Sequence, residues 1–223
     1  MKIVNCTQGT DLWHSMRCGR PTGSEFGRII TPKKGDYAAG AGSYAAELIA
    51  ATLGWYKSFQ GNSDTERGHR LEKEAGRWLN LRYGIKIQEV GFCLSDCGRY
   101  GASPDALCID GITPVEIKCP DLHTLIKWKI DGELPIEHKA QCHGEMFVTG
   151  ADRCIFLAYS DHEALDSMMV EVKRDAFTEK LGECVLKFCD ELDRLRNELL
   201  GEEAEFYLPK MPPADTIKGG IAA

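Results

Sequence analysis

The chain has 223 residues, of which 43% are hydrophobic and 27% charged, and its formal net charge is -7 at pH 7. This apolar content is enough for a folded core and too high for a disordered chain. The acidic balance argues against a protein that coats nucleic acid through its overall charge. It does not exclude a nuclease, because such an enzyme can confine its cations to one groove and collect carboxylates for metal ions.

The ten cysteines would suggest disulfides in a short secreted chain, but residues 1–7 lack the apolar stretch of a signal peptide. No run approaches the ~20 apolar residues that a membrane span requires. The spacings Cys93/Cys97 and Cys184/Cys189 do not match the pairs typical of zinc or iron–sulfur sites. We therefore expect free thiols, a cytoplasmic location and no membrane partner.

Helical patterns dominate the first third of the chain. Capping residues and apolar spacing predict four helices joined by polar turns. These helices cover Asp11 to about Cys18, a second start at Thr22–Glu25, the Ala-rich Ala38–Leu53 and the amphipathic Ser63–Tyr83, with a polar loop at Gly54–Ser63.

After Gly84 the pattern changes to short strands that alternate with helices. We predict strands within Ile85–Leu94, at Ala106–Ile109 and Val115–Lys118, helices at Pro120–Ile130 and Ile136–Val148, strands at Cys154–Tyr159 and Met168–Val172, and a helix at Asp175–Leu200. The prolines and paired glycines of 205–223 predict an extended segment, which could pack against a neighbouring subunit. This order predicts a single α/β domain over residues 1–223.

The most informative residues are Asp105 in Ser103-Pro104-Asp105, and Glu116 and Lys118 in Val115-Glu116-Ile117-Lys118. Side chains alternate along a strand, so Glu116 and Lys118 share one face. A hairpin between residues 105 and 116 can bring Asp105 beside Glu116. Two close carboxylates repel each other unless a cation lies between them, and Mg²⁺ prefers such oxygen ligands.

A magnesium ion at this position would polarise a phosphodiester and lower the pKa of an attacking water. Lys118 could act on that water if its own pKa is lowered, or it could contact the phosphate as a cation. The carbonyl of Ile117 lies between the two polar side chains and could complete the metal shell. A Glu-x-Lys triplet alone is common on solvated strands, but the Pro-Asp eleven residues upstream of Glu116 resembles the pattern of the PD-(D/E)xK nuclease superfamily.

Further segments resemble the bacteriophage lambda exonuclease family and occur in that family's order over roughly residues 10 to 175. They are Leu12–Arg17 with Thr22–Glu25, Arg67–Ala75 around a central glutamate, Gly101–Cys108 with Glu116–Pro120, and Ala140–Cys142. The resemblance implies a PD-(D/E)xK core, with a central mixed β-sheet flanked by helices. It implies a 5′→3′ exonuclease that degrades one strand of linear duplex DNA to mononucleotides and leaves a 3′ overhang for recombination.

The same resemblance implies a homotrimeric ring around DNA, a single-strand annealing protein as partner, and a bacterial host cytoplasm if the chain is phage-encoded. By motif position, Asp105, Glu116 and the Ile117 carbonyl would hold Mg²⁺, for which Mn²⁺ could substitute. Lys118 would act on the nucleophilic water and Glu72 would assist. The 5′-terminal phosphate would be bound by Arg17, Ser24, Ser103 and Gln141, with Thr22 and Lys34 as weaker additions.

Several of these residues also have ordinary structural interpretations. Arg17 could be a surface cation and Ser24 a helix cap, although a helix N-terminus also attracts phosphate. Glu72 and Gln141 could lie on solvated helix faces. Where the family presents an apolar wedge between the strands, this chain has Asp64–Arg67, which puts that device in doubt.

Two rival functions remain on the same core. A structure-specific DNA endonuclease would not need a pocket for a terminal phosphate. An inactive DNA-binding recombination scaffold would not need a carboxylate pair facing phosphate.

Overall fold

The computed structural model describes residues 1–55 and 63–218, with the side chains of residues 63–70 and 218 outside that description. Most of the predicted loop Gly54–Ser63 lies outside the described residues. So do the side chains of Asp64–Arg67, where the family's wedge is expected.

Short strands and longer helices alternate through the described residues. The strands are β1 (Lys2–Val4), β2 (Ile87–Glu89), β3 (Phe92–Leu94), β4 (Gly101–Ala102), β5 (Ala106–Cys108), β6 (Pro114–Lys118), β7 (Arg153–Ala158), β8 (Met168–Lys173) and β9 (Ile217–Lys218). The helices are α1 (Asp11–Arg17), α2 (Ala41–Thr52), α3 (Ser63–Tyr83), α4 (Leu122–Asp131), α5 (Ile136–Thr149) and α6 (Ala176–Leu200). Three 3₁₀ turns cover Gly23–Arg28, Gly201–Tyr207 and Ala214–Thr216.

The central sheet has the order β2-β5-β6-β7-β8, in which β6 and β7 run parallel and the other neighbours run antiparallel. Helices cover both of its faces, because alternate side chains along each strand point to opposite sides. Ile155 and Leu157 pack with Leu71 and Leu79 of α3, whereas the intervening Phe156 packs with α4 and α5. The mixed sheet flanked by helices that the sequence predicts is confirmed.

The predicted strand within Ile85–Leu94 is in fact two strands, β2 and β3, which belong to different sheets. The chain changes sheet at Val90-Gly91, where it passes so close to Cys6 that a side chain at Gly91 would overlap the Cys6 carbonyl. The second sheet has the antiparallel order β4-β3-β1-β9. Its strands of two or three residues are too short to produce an alternating pattern in the sequence.

The predicted extended segment 205–223 holds the end of one 3₁₀ turn, a second such turn and a short strand among its described residues. The helical path continues beyond α6 as the 3₁₀ turn Gly201–Tyr207, and a second turn precedes β9. Strand β9 pairs with β1 of the same chain, because the edge of β1 offers unpaired backbone groups. None of the described helices combines the length and the apolar character needed to cross a lipid bilayer.

Candidate active site

The β5–β6 hairpin positions Asp105. Ala106, the first residue of β5, pairs with Val115 of β6, so Asp105 lies at the end of the hairpin beside the next residues of β6. The backbone N–H of Ile117 donates to Asp105 Oδ2 at 2.6 Å. The antiparallel register therefore holds a carboxylate that lies eleven residues upstream in sequence beside Glu116.

Glu116 and Lys118 share the face of β6 that is turned away from α3. Their neighbours Val115 and Ile117 pack with α3, so the alternation of the strand directs the two polar side chains to the opposite side. Glu116 is 1% exposed, whereas the Lys118 side chain is 32% exposed and its ammonium donates to Glu116 Oε1. Asp105, Glu116 and Lys118 thus form one cluster at the edge of the core.

Burial and mutual repulsion govern the charges of this cluster. Burial, and next the Glu116 carboxylate, raise the pKa of Asp105 well above its usual range. Burial alone would lower the pKa of Lys118, but Glu116 and Asp105 outweigh it, so that the pKa of Lys118 is raised. In the metal-free cluster Lys118 is therefore a cation paired with Glu116.

The donor set fits a hard divalent cation. Glu116 Oε2 is buried and accepts from no N–H, hydroxyl or ammonium group of the described residues, while the buried Glu145 carboxyl shares a side-chain hydrogen bond with Glu116 that helps to raise the pKa of Glu145. A buried carboxylate oxygen left in this way is costly unless a cation binds it. Among the described residues, no group of three or more His, Cys, Asp or Glu side chains is arranged so that it could hold a metal ion by itself. Two carboxylates completed by backbone carbonyl and water ligands are what Mg²⁺ commonly accepts.

Glu72 lies in the first half of α3, and its charge is close enough to Asp105 to raise the pKa of that carboxyl. Glu72 also lines a groove together with Asp105 and Ile117. The tertiary structure therefore brings this predicted residue to the same site from a different element.

Three of the predicted phosphate-binding residues form a second cluster, on α1 and the loops next to it. Arg17 donates to Ser24 Oγ at 3.0 Å and its guanidinium lies 4.6 Å from the ring centroid of Trp13. Trp13 Nε1 in turn donates to Ser103 Oγ at 2.9 Å. Trp13, which the sequence motifs did not assign to the site, therefore joins Arg17 to Ser103. Its place four residues before Arg17, on the same face of α1, is the sequence feature that could have identified it.

Gln141 connects with the first cluster through Glu145, which the sequence analysis missed. Gln141 Nε2 donates to Glu145 Oε1 at 3.2 Å, and both residues lie on α5, four positions apart. Burial, and next the Glu116 carboxylate, raise the pKa of Glu145 well above its usual range. Glu145 could have been identified in the sequence as a single carboxylate on the apolar face of a helix, one turn beyond the predicted site residue Gln141.

The two clusters meet beneath the 3₁₀ turn Gly23–Arg28. A Cβ built on Gly23 would lie 3.6 Å from Glu145 Cγ, so the turn that carries Ser24 rests on the carboxyl neighbour of Glu116. Thr22 is 2% exposed, and its N–H donates to the Tyr44 hydroxyl at 3.4 Å, so its backbone is packed into the fold. Lys34 lies in an exposed turn beside α6, and the described residues show no contact between Lys34 and either cluster.

The fold and both clusters can be compared with known proteins. A model of the YqaJ-like viral recombinase domain matches residues 12–152. The chain belongs to this family. The match confirms the predicted relationship to lambda-type recombination exonucleases, and it spans α1, the β5–β6 hairpin and α5, which carry the two clusters.

Solved structures of similar fold are exonucleases. An alkaline exonuclease from Laribacter hongkongensis superposes with a TM-score of 0.76 at 29% identity, covering 88% of this chain and 100% of that one. Its complex with dAMP gives a TM-score of 0.69 at 27% identity, covering 85% and 98%. A phage-related exonuclease from Haemophilus somnus 129PT shares the fold with a TM-score of 0.63 at 18% identity, covering 81% and 96%. The PD-(D/E)xK fold is confirmed, while no curated protein matches the chain.

Proposed function

We propose that the protein is a Mg²⁺-dependent 5′→3′ exonuclease that degrades one strand of linear double-stranded DNA to mononucleotides and leaves a 3′ overhang for recombination. The observation that carries this proposal is the hairpin cluster of Asp105, Glu116 and Lys118, with its buried carboxylate oxygen. Membership of a viral recombinase family and similarity to an alkaline exonuclease support the same activity.

Asp105, Glu116 and the Ile117 carbonyl would hold the metal, and Mn²⁺ would substitute for Mg²⁺. When bound, the ion supplies polarisation of the phosphodiester and a more acidic attacking water. Lys118 would act on the attacking water or, as the cation that it is beside Glu116 in the metal-free cluster, would stabilise negative charge that develops on the phosphate. Glu72 approaches from α3, where its carboxylate can orient a water molecule.

Dependence on a DNA end would come from the second cluster. Arg17, Ser24 and Ser103 are connected through Trp13 and would bind a 5′-terminal phosphate, with Gln141 contributing from α5. A guanidinium and hydroxyl groups are effective ligands for a phosphate monoester. An endonuclease or a scaffold on the same core would have no use for this cluster. Thr22 and Lys34 stay weaker additions to this set.

The assembly and location belong to the same proposal. By resemblance to lambda-type exonucleases, the active form would be a homotrimeric ring on duplex DNA ends, working with a single-strand annealing protein in the bacterial host cytoplasm. One domain over residues 1–223 would form each subunit.

Digestion of linear and circular duplexes tests the proposal directly. With Mg²⁺, linear DNA carrying a 5′ phosphate should be converted to mononucleotides and a 3′-tailed product, while covalently closed circles remain intact. EDTA should stop the reaction, because the two carboxylates then have no cation between them. Cleavage of the closed circle would identify an endonuclease instead, and binding without any cleavage would identify a scaffold.

Arg17→Ala should act selectively on phosphorylated ends. Loss of one charge-assisted contact predicts about a tenfold or greater fall in kcat/KM on 5′-phosphorylated duplex. Duplex with a 5′ hydroxyl should lose much less, because it lacks the phosphate that Arg17 binds. The two rates are measured on substrates that differ only in that group, and an equal loss on both would contradict the assignment of the cluster.

A further inference from the structure

A groove with a volume of about 980 Å³ is lined by Asp105 but not by Arg17, Ser24 or Ser103. One wall is α3, and the other is formed by residues 3–8, which include the end of β1 and the loop that follows it. Gln8 Nε2 donates to the Pro104 carbonyl at 3.1 Å, which fastens this second wall to the residue before Asp105. The groove therefore adjoins the candidate active site at Asp105, Ile117 and Glu72, on the α3 side of β6, whereas Glu116 and Lys118 lie on the other face of that strand and do not line it.

The α3 wall is polar along its length. Lys73, Gly76, Arg77 and Asn80 line it, and their spacing places them on a single helix face. With a rise of about 1.5 Å per residue, the stripe from Glu72 to Asn80 extends about 12 Å from the active site. Its length suits an extended ligand that begins at the metal ligands.

Three cations line this groove: Lys73, Arg77 and Lys86. Among the side chains that the structure describes, those of residues 1–55 and 71–217, none forms an ion pair or a hydrogen bond with the side chains of these three. By contrast, Arg28, Arg99 and others in the same acidic chain are neutralised by carboxylates. Cations left unpaired in a concave site attract an anionic ligand more effectively than cations on a convex surface.

Three carboxylates also line the groove, and two of them lie at the end where a metal ion would bind. Glu72 and Asp105 lie at its active-site end, where the metal would be, and Glu89 lies on β2. An ordinary solvated helix face would explain Lys73 and Arg77 alone. It does not explain why Lys86, Asn5 and Gln8 line the same groove from other elements.

We propose that this groove, called the downstream groove, binds the sugar–phosphate backbone of the cut strand on the 3′ side of the scissile linkage. The proposal rests on the exonuclease function above. Arg17, Ser24, Ser103 and Gln141 do not line the groove, which meets the site through Asp105, Ile117 and Glu72. With its 5′ phosphate bound by the first group and its next linkage at Asp105, the rest of the strand would continue into the groove, where Lys73, Arg77 and Lys86 would bind its phosphates.

Binding of single-stranded oligonucleotides in EDTA tests the groove without hydrolysis. The probes are a 5′-phosphorylated dinucleotide and a 5′-phosphorylated decanucleotide, measured against the wild type, a Lys73→Ala/Arg77→Ala variant and Arg82→Ala. Arg82 is the matched control, since it lies on the same exposed helix but does not line the groove. The wild type should bind the longer strand more tightly, and the double variant should lose about tenfold or more of that advantage.

The salt dependence gives a second readout. Each phosphate contact removed should flatten the slope of log affinity against log salt by about 0.7 for a single strand, and Arg82→Ala should leave it unchanged. An unaltered length advantage in the double variant overturns the groove, as does a wild type that binds both lengths equally. A wild type that never cleaves DNA, combined with a lost length advantage in the double variant, would instead overturn the exonuclease and retain the groove.

Discussion

Replacement of Asp105 by Asn is expected to reduce digestion of linear duplex DNA by about a thousandfold or more. The substitution removes one of two carboxylates that would hold the metal while keeping an oxygen that can accept from the Ile117 N–H. Rates with saturating Mg²⁺ measure the effect. Asp131→Asn, the same chemical change at an exposed position, should retain wild-type activity.

The fold of the Asp105→Asn variant should be intact and, without metal, at least as stable as the wild type. Burial and Glu116 raise the pKa of Asp105, so the folded state binds its proton more strongly than the unfolded state does. Stability from this group is therefore present below the ordinary Asp pKa and is lost as the pH rises through the folded-state value. A neutral Asn at position 105 avoids that loss.

Thermal unfolding with and without Mg²⁺ separates the two effects. Mg²⁺ should raise the Tm of the wild type, because a ligand that binds the folded state stabilises it, and should raise that of Asp105→Asn far less. A variant that retains full nuclease activity, or one that responds to Mg²⁺ as the wild type does, would remove Asp105 from the metal site.

Arg20→Ala is expected to have the largest effect on stability, a loss of about 4 kcal/mol in the free energy of unfolding. Arg20 is 1% exposed and donates to three backbone carbonyls: Gly98 at 2.7 Å, Met16 at 2.9 Å and Lys210 at 2.7 Å. Its removal leaves buried acceptors without donors. Burial lowers the pKa of Arg20 to about 10, which still leaves it charged at neutral pH.

The matched control is Arg194→Ala. Arg194 also makes two short hydrogen bonds, to Glu198 at 2.7 and 2.8 Å, but both partners are exposed on α6, so the expected loss is below about 0.5 kcal/mol. Urea unfolding compares the two variants. Limited proteolysis should also cut Arg20→Ala faster near Lys210, because that segment loses its anchor. Equal stability of Arg20→Ala and wild type would show that these three contacts are not what secures the C-terminal segment.

The hairpin cluster could be predicted because its parts are close in sequence. Asp105 and Glu116 are joined by one short hairpin, and strand alternation relates Glu116 to Lys118, so local periodicity was sufficient. The long helices α3 and α6 were predicted for the same reason, since their apolar spacing persists over several turns.

Glu145 and Trp13 could not be assigned in this way. Each acts through a contact between distant elements: Glu145 meets Glu116 from α5, and Trp13 reaches Ser103 across 90 positions. The division of Ile85–Leu94 between two sheets has a similar origin, because it depends on the passage of Cys6 beside Gly91.

By itself, the sequence determined the family, the α/β class and the proximity of Asp105, Glu116 and Lys118, since these depend on motif order and on spacing within one hairpin. Only the tertiary structure decided which side chains surround that triplet, the raised pKa of Lys118, and the groove that leaves it along α3. The physical reason is that burial, charge coupling and concavity arise between elements far apart in the chain, where no periodic pattern records their contact.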